Sequence, residues 1–436
     1  MFRRGLSSTV SATKSSPKSV EQKVSKLPNG LTVASIDNGA PISQLVLAFR
    51  AGSRYEQSDE AGLVHHLRNS VGTDSEKYLG VKLLWQTGNI GANLNAIATK
   101  DIFAVQLSAP REGAPIGVSL LGELGQPAFK PWEVVDMVGT VKTDLANVEA
   151  YDTLIELLHK ASFRNGGLGN ALLSKSYNVG KVGYKTLGAY AKSRLLSGEA
   201  AIFGINVDHN LLVQYATEQI NIAEGKGKAA TPSPYKGGEV RQSGSGHLAH
   251  VAVVGEGAKL SDPKSVAVQA VLATLIANAP NTKYSSNNGF GIVASAVNKE
   301  SSNGAVGVSA INIAHFDSGV VGFYLVADES QIGSLTKKAV ATFKSLATAI
   351  DGETLEIAKQ QAATEVHLRS EDDASLALDQ AVQLLSTGSA VSPVSFAEQI
   401  KSVTAEDVKK AAAKLSSKLS IASFGAIENV PYLDEL

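Results

Sequence analysis

The 436-residue sequence has no cysteine, two methionines, two tryptophans and almost no net charge, 40 basic side chains standing against 41 acidic ones. The missing cysteines exclude a disulfide framework, iron–sulfur ligation and thiolate-bound zinc. A formal charge of −1 provides no global attraction for nucleic acid, so none is expected as a partner. Long apolar runs are missing too: the best, Val266 to Ala279, is broken by Gln269 and falls short of the roughly 18 residues a membrane-spanning helix needs. Membrane association is therefore expected to run through partners. What is present is an apolar content of 44%, suited to two domains with full cores.

The first 20 residues differ from the rest. They carry Arg3, Arg4, Lys14 and Lys18, many Ser and Thr, and no acid before Glu21, with Phe2, Leu6 and Val10 spaced to share a helical face. That composition is expected of a mitochondrial transit peptide over residues 1–20. Without those four cations the remainder is mildly acidic, 36 basic against 41 acidic side chains.

Self-similarity follows. From Ser43 the chain runs through an apolar strand, Gly52, a polar loop and Ser58-Asp59-Glu60 opening an amphipathic helix; from Ala249 it runs through a strand, Gly255, a loop and Ser261-Asp262-Pro263 opening another. Ser and Asp oxygens accept from the free amides of a first helical turn, and Pro suits its first position. Alternating segments (Ala96 to Ser108; Val306 to Ile313 and Val320 to Ala327) then precede helical stretches (Pro115 to Leu124 and Trp132 to Phe163; Ile332 to Ala349 and Glu353 to Leu385) in the same order. Duplication is the expected cause. Residues 223–246, rich in Gly, Pro, Ser and Lys, read as a linker between a domain over 21–222 and a second over 247–436. Grouped strands followed by helices predict an α+β fold, each half a mixed, mostly antiparallel sheet with helices on one face.

The segment with most chemical interest is Gly62-Leu-Val-His-His-Leu-Arg-Asn69. In the inverted zincin pattern His-x-x-Glu-His, two imidazoles four apart on one helical face bind zinc and the intervening Glu moves the proton. Here His65 stands at the first ligand, Arg68 at the base and Asn69 at the second ligand. A guanidinium accepts no proton and sets a cation where a dication would sit. Shifting the frame to His66 brings Ser70 to the second position, and His247 and His250 are three apart with no acid between. One of the two adjacent histidines is expected to pack at a half-buried helix start and the other to face water. Gly88 to Asn93 lacks a phosphate-loop lysine and reads as the turn into a strand. Lys226, Lys228 and Lys236 in the linker read as a solvated loop, with acidic lipid or a partner as the other possibility.

On Leu27-Pro-Asn-Gly-Leu-Thr-Val, Phe49-Arg-Ala-Gly-Ser-Arg-Tyr-Glu and the His-His motif, the chain from about residue 25 onward resembles the pitrilysin-type metallopeptidase superfamily. Leu158-His-Lys-Ala-Ser-Phe-Arg-Asn supports the same resemblance, and Arg68 after His-His-Leu, Pro131-Trp-Glu-Val and the closing Asp-Glu-Leu are similar to the branch of mitochondrial processing peptidase and the core proteins of respiratory complex III. Active members take a third ligand, a Glu on the helix ahead of the Leu-His stretch; counting back from Leu158 and His159 puts that position at Lys142 and a companion acidic position near Val135. The resemblance thus implies a degenerate site of His65, Arg68, Asn69 and Lys142, no zinc, no cofactor in this chain and no catalysis. It further implies a scaffold on the matrix side of the mitochondrial inner membrane, paired with core protein 1. The wider partners would be cytochrome b, cytochrome c1, the Rieske protein and small subunits of dimeric complex III, which hold the haem and iron–sulfur groups. An obligate subunit is also expected to expose more apolar surface than a monomer. The alternative is the non-catalytic alpha-type subunit of the processing peptidase, known for a Gly-rich loop whose counterpart, Ala279 to Gly291, is here poor in glycine.

Overall fold

The computed structural model describes residues 22–278, 290–302, 306–348 and 350–436. The basic segment 1–20 and nearly all of 279–291 lie outside the described residues.

The first half supplies strands β1 (Lys23–Lys26), β2 (Thr32–Ile36), β3 (Ile42–Phe49), β4 (Asn93–Ala98), β5 (Phe103–Pro110) and β6 (Ala200–Ile205). Its helices are α1 (Leu63–Asn69), α2 (Gly80–Asn89), α3 (Ala114–Leu124), α4 (Pro131–Ala146), α5 (Ala150–Phe163), α6 (Tyr184–Arg194) and α7 (His209–Gln219). The second half supplies β7 (Gly238–Ser243), β8 (Leu248–Glu256), β9 (Val306–Ala314), β10 (Gly319–Asp328) and β11 (Ser420–Gly425). Its helices are α8 (Pro263–Ile276), α9 (Ile292–Glu300), α10 (Ile332–Ser345), α11 (Gly352–Ser370), α12 (Asp373–Thr387), α13 (Pro393–Lys401) and α14 (Ala405–Ser417).

The sheets run β1-β2-β6-β3-β5-β4 and β7-β11-β8-β10-β9. Leaving out the added edge strand β1, the two orders coincide when strands are matched in chain order. The one parallel pair also falls in the same place, β2 with β6 and β7 with β11. The fold is α+β with two mixed sheets, as expected.

Four segments differ from the sequence expectation. Ala96 to Ser108 is a hairpin, not one strand, turned where Thr99 N–H donates to Ile102 O (2.8 Å). The long helical stretches each break in two: α4 ends at Asn147, and Asp372 starts α12 by accepting from Ala374 and Ser375 N–H. The presumed linker 223–246 contains β7, an edge strand whose Gly-Glu-Val-Arg-Gln-Ser lacks apolar alternation because neither of its faces is buried.

Each sheet packs one face against helices of its own half, the first around Leu45, Leu47, Phe103 and Leu121, the second around Val253, Leu272, Phe323 and Phe343. The opposite faces are covered by exchange. Helix α12 of the second half lies under the first sheet, Ala377, Ala381 and Leu384 meeting Val46, Ala48 and Phe203. Helix α5 of the first half lies under the second, Leu154, Leu158 and Phe163 meeting Ala252, Val254 and Val320. The alanines let α12 approach closely, and each buried Leu or Phe contributes about 1.5–3 kcal/mol.

A buried polar seam lies between the exchanged helices. Arg54 donates to Asp101 Oδ1 (2.6 Å) and to Asp317 Oδ2 (2.8 Å), His315 Nδ1 meets Asp101 Oδ2 (2.6 Å), and His159 Nε2 meets His315 Nε2 (3.0 Å). These residues come from both halves, so the seam ties the hairpin turns of the two sheets to α5. On the outer surface Leu79, Val81 and Trp85 of the α2 region and Trp132 and Val135 of α4 are 61–81% exposed. The two helix starts are clamped at Asp74, which takes Lys130 Nζ (2.5 Å) and Gly80 N–H (2.7 Å).

Candidate functional site

Helix α1 begins at Gly62, whose φ of +95° lies in the left-handed region and whose missing Cβ leaves room for Ser174; a Cβ there would stand 2.7 Å from it. The first turn is capped at a distance by Glu56, which accepts Gly62 N–H (3.0 Å) and Val64 N–H (2.7 Å). Burial pushes the Glu56 carboxyl up to about 8 despite those two amides. This arrangement turns the His65, Arg68 and Asn69 side of α1 toward α4.

All three side chains converge on one atom, Asp144 Oδ2. His65 Nε2–H donates to it (3.0 Å), Asn69 Nδ2 donates to it (3.0 Å), and Arg68 Nη2 pairs with it. The other His65 nitrogen, Nδ1, accepts the Ser174 backbone N–H (3.2 Å). That contact fixes the tautomer, because an amide can only donate: Nδ1 carries the lone pair and Nε2 the proton. Burial, followed by the charge of Arg68, holds His65 below the usual imidazole range against the pull of Asp144. Burial raises the Asp144 carboxyl, but the hydrogen bonds from Asn69 and His65 and the charge of Arg68 outweigh it and hold the group below the usual range.

Asp144 was not foreseen, and Lys142 requires correction. Lys142 is exposed on α4. Two residues of α-helix rotate a side chain by about 200°, so Lys142 and Asp144 face opposite ways. Counting back from His159 crossed the α4–α5 junction at residues 147–149, where a change of loop length shifts the frame at little cost. The usable signal was Asp144 itself, the only acid between Met137 and Glu149. The companion position Val135 is 70% exposed. His66 also departs from expectation: neither histidine faces water, each being 1% exposed. His66 Nδ1–H donates to Gly62 O (2.8 Å), Nε2 is buried without a partner, and burial lowers its basicity.

The donor set can be tested against zinc. A ligating imidazole offers one nitrogen's lone pair to the metal while the other nitrogen donates to an acceptor. His65 is wired the other way, with a donor at Nδ1 and its proton aimed at Asp144. Asn69 contributes an NH2 group, and Arg68 places its charge on the only carboxylate. Among the described residues no group of three or more His, Asp or Glu side chains is placed to hold a metal ion. The arrangement is chemically an ion pair with two auxiliary hydrogen bonds, and it joins α1 to α4.

The insulinase (peptidase family M16) pattern matches residues 32–176, which include α1 and α4. The fold and the position of the α1–α4 contact make this an M16-type peptidase fold.

The chain is 31% identical over 416 residues to mouse cytochrome b-c1 complex subunit 2, mitochondrial, covering 94% of this chain and 91% of that protein. It is 30% identical over 430 residues to the human protein of the same name, covering 96% and 93%. The alpha-2 subunit of the mitochondrial processing peptidase of Dictyostelium discoideum is 26% identical over 422 residues, 94% of this chain and 93% of that one. The chain therefore belongs to the M16 peptidase-like family, in the group of cytochrome b-c1 complex subunit 2, known as core protein 2.

Proposed function

We propose that this protein is a non-catalytic core subunit of mitochondrial complex III, serving assembly rather than proteolysis. The observation that carries the reading is the Arg68–Asp144 pair, with His65 and Asn69 donating to the same oxygen. A general base and a metal are both replaced by one guanidinium, so water cannot be activated there. What the pair retains is the mechanical role, holding α1 against α4. Identity to cytochrome b-c1 complex subunit 2 over nearly the whole chain supports membership of that complex.

On this reading the chain lies on the matrix side of the inner membrane, paired with core protein 1 and supporting transfer from ubiquinol to cytochrome c through cytochrome b, cytochrome c1 and the Rieske protein. The haem and iron–sulfur groups belong to those partners, and no zinc or other cofactor belongs to this chain. No described helix is long and apolar enough to cross a membrane, which suits attachment through partners, and the exposed apolar face of α2 and α4 suits burial in an assembly. Residues 1–20 would direct import.

The test is a C-terminal tag followed by gentle solubilisation of mitochondria and a native gel. Co-migration with cytochrome b, cytochrome c1 haem and quinol oxidase activity is expected. Co-migration with a soluble presequence-cleaving activity would instead establish the alternative, an alpha-type subunit of the processing peptidase.

A further inference from the structure

A cleft of about 850 Å3 opens between the end of α5, the loop over residues 165–175 and the inter-half segment around 228–236. Lys160, Lys175, Lys228 and Lys236 stand exposed around it. None of the four is held in an ion pair among the described residues, and the carboxylates of the lining are already engaged. Glu156 Oε2 takes Lys100 Nζ (2.7 Å) and Leu172 N–H (3.1 Å), and Glu56 is spent on the amides that start α1. Arg54, also in the lining, is neutralised by Asp101 and Asp317. Arg194 braces the wall: it donates to Lys228 O (2.6 Å) and lies over the Tyr55 ring at 4.5 Å. The cleft thus combines one sign of free charge with an apolar lining at Leu157 and Phe163.

We infer that this cleft is a docking site for an acidic, extended polypeptide segment of a partner protein. Two linker lysines that the sequence suggests are solvated, Lys228 and Lys236, are brought beside Lys160 of α5 and Lys175 of the following loop. Like charges gathered round a concavity raise the local potential and attract the opposite sign. The four ammonium groups are point charges on flexible stems spread around the opening, and Arg194, the lining guanidinium without a carboxylate partner among the described residues, is buried and turned onto Lys228 O and the Tyr55 ring, away from a compact phosphate in the opening. That spacing suits carboxylates distributed along a chain. A concave opening between the halves also presents no flat cationic face to a bilayer. The same field opposes entry of a basic presequence. The inference adds a partner chemistry to the assembly reading, and its test uses the isolated full chain, so it can fail while the native-gel assignment stands.

The test is fluorescence anisotropy of the full chain with labelled oligoglutamate and with labelled oligolysine, across a range of salt. Oligoglutamate is expected to bind, more weakly as salt rises, and oligolysine not to bind. Lys160→Glu with Lys236→Glu reverses two exposed charges and should weaken binding roughly tenfold. Lys259→Glu with Lys264→Glu, placed elsewhere, should leave it unchanged. Equal loss in both variants, or none in the first, would overturn the site. Tighter binding of inorganic tripolyphosphate, or of vesicles of anionic phospholipid, with the same dependence on Lys160 and Lys236 would overturn the polypeptide assignment.

Discussion

Removing Arg68 and Asp144 singly and together measures whether their contact is a structural clamp. Both side chains are about a third exposed, 31% and 28%, so solvent screens the pair and its value lies between that of a surface and a buried bridge. Arg68→Ala should cost about 1–2 kcal/mol. Asp144→Ala should cost more, about 2–4 kcal/mol, because it also strands the His65 Nε2–H, whose side chain has no exposure, without an acceptor. In the double variant the guanidinium is no longer there to be left unpaired, so the costs should fall short of the sum by about 1 kcal/mol. Urea unfolding of the full chain gives all three values. Additive costs would refute the clamp. A parallel arm tests the metal directly: a ligand at 100 times its Kd stabilises a protein by about 2.7 kcal/mol, and added zinc should give the unsubstituted chain none of this. Stabilisation by one zinc per chain, abolished in His65→Ala, would refute the tautomer argument as well.

His65, His66 and His159 all have their basicity lowered, burial being the largest cause in each. The unfolded chain therefore takes up protons as pH falls through about 6.5 while the folded chain resists. The stability they contribute is complete above that pH and lost below it, at up to about 1.4 kcal/mol per unit for each group; the raised Glu56 carboxyl, which binds its proton in the folded state over the same window, offsets about one such group, so urea midpoints should still fall from pH 7.5 to 5, and less steeply in His66→Gln. Cleavage of the exposed stretch near Lys228 should leave the two fragments together on gel filtration under native conditions, because α5 and α12 are each packed under the other half's sheet; fragments that separate would refute the exchange. Val81→Lys with Trp85→Lys should leave the melting temperature of the isolated chain nearly unchanged, since both side chains are exposed, yet reduce its aggregation and lower its incorporation into the tagged assembly.

The duplication was legible because strand, glycine, polar loop and capped helix recur in one order, each signal local to a few residues. The exchange of α5 and α12 was not. Each has an ordinary apolar stripe, and nothing in Leu154, Leu158, Ala377 or Ala381 specifies which sheet will receive it. Strand β7 was hidden for a related reason, since this edge strand takes its place from pairing with β11 and, with neither face buried, needs no apolar alternation. At the site, Arg68 and Asn69 were legible because a helix of known register fixes their relation to His65. Asp144 was missed because its relation to them is set across 75 residues by packing of α4, and a count through a helix junction carries an error of the size that turns a side chain away.

The geometry also shows how α1 and α4 are joined by side chains of this chain alone. In a zinc site the helix carrying the histidines and the helix carrying the third ligand are held together by coordination to a dication. Here Arg68 brings the positive charge on the first helix itself, and Asp144 answers from α4, so the contact closes without an added ion. The remaining polar atoms then have to change their hydrogen-bonding sense. Asn69 supplies donors in place of a lone pair, and His65 settles in the tautomer that donates toward Asp144, with the Ser174 amide satisfying its other nitrogen. Arg68→Glu alone would set two carboxylates against each other on half-buried helices and open the contact. Metal ligation through His65 in the inverted zincin pattern would therefore require Arg68, Asn69 and the His65–Ser174 hydrogen bond to change together.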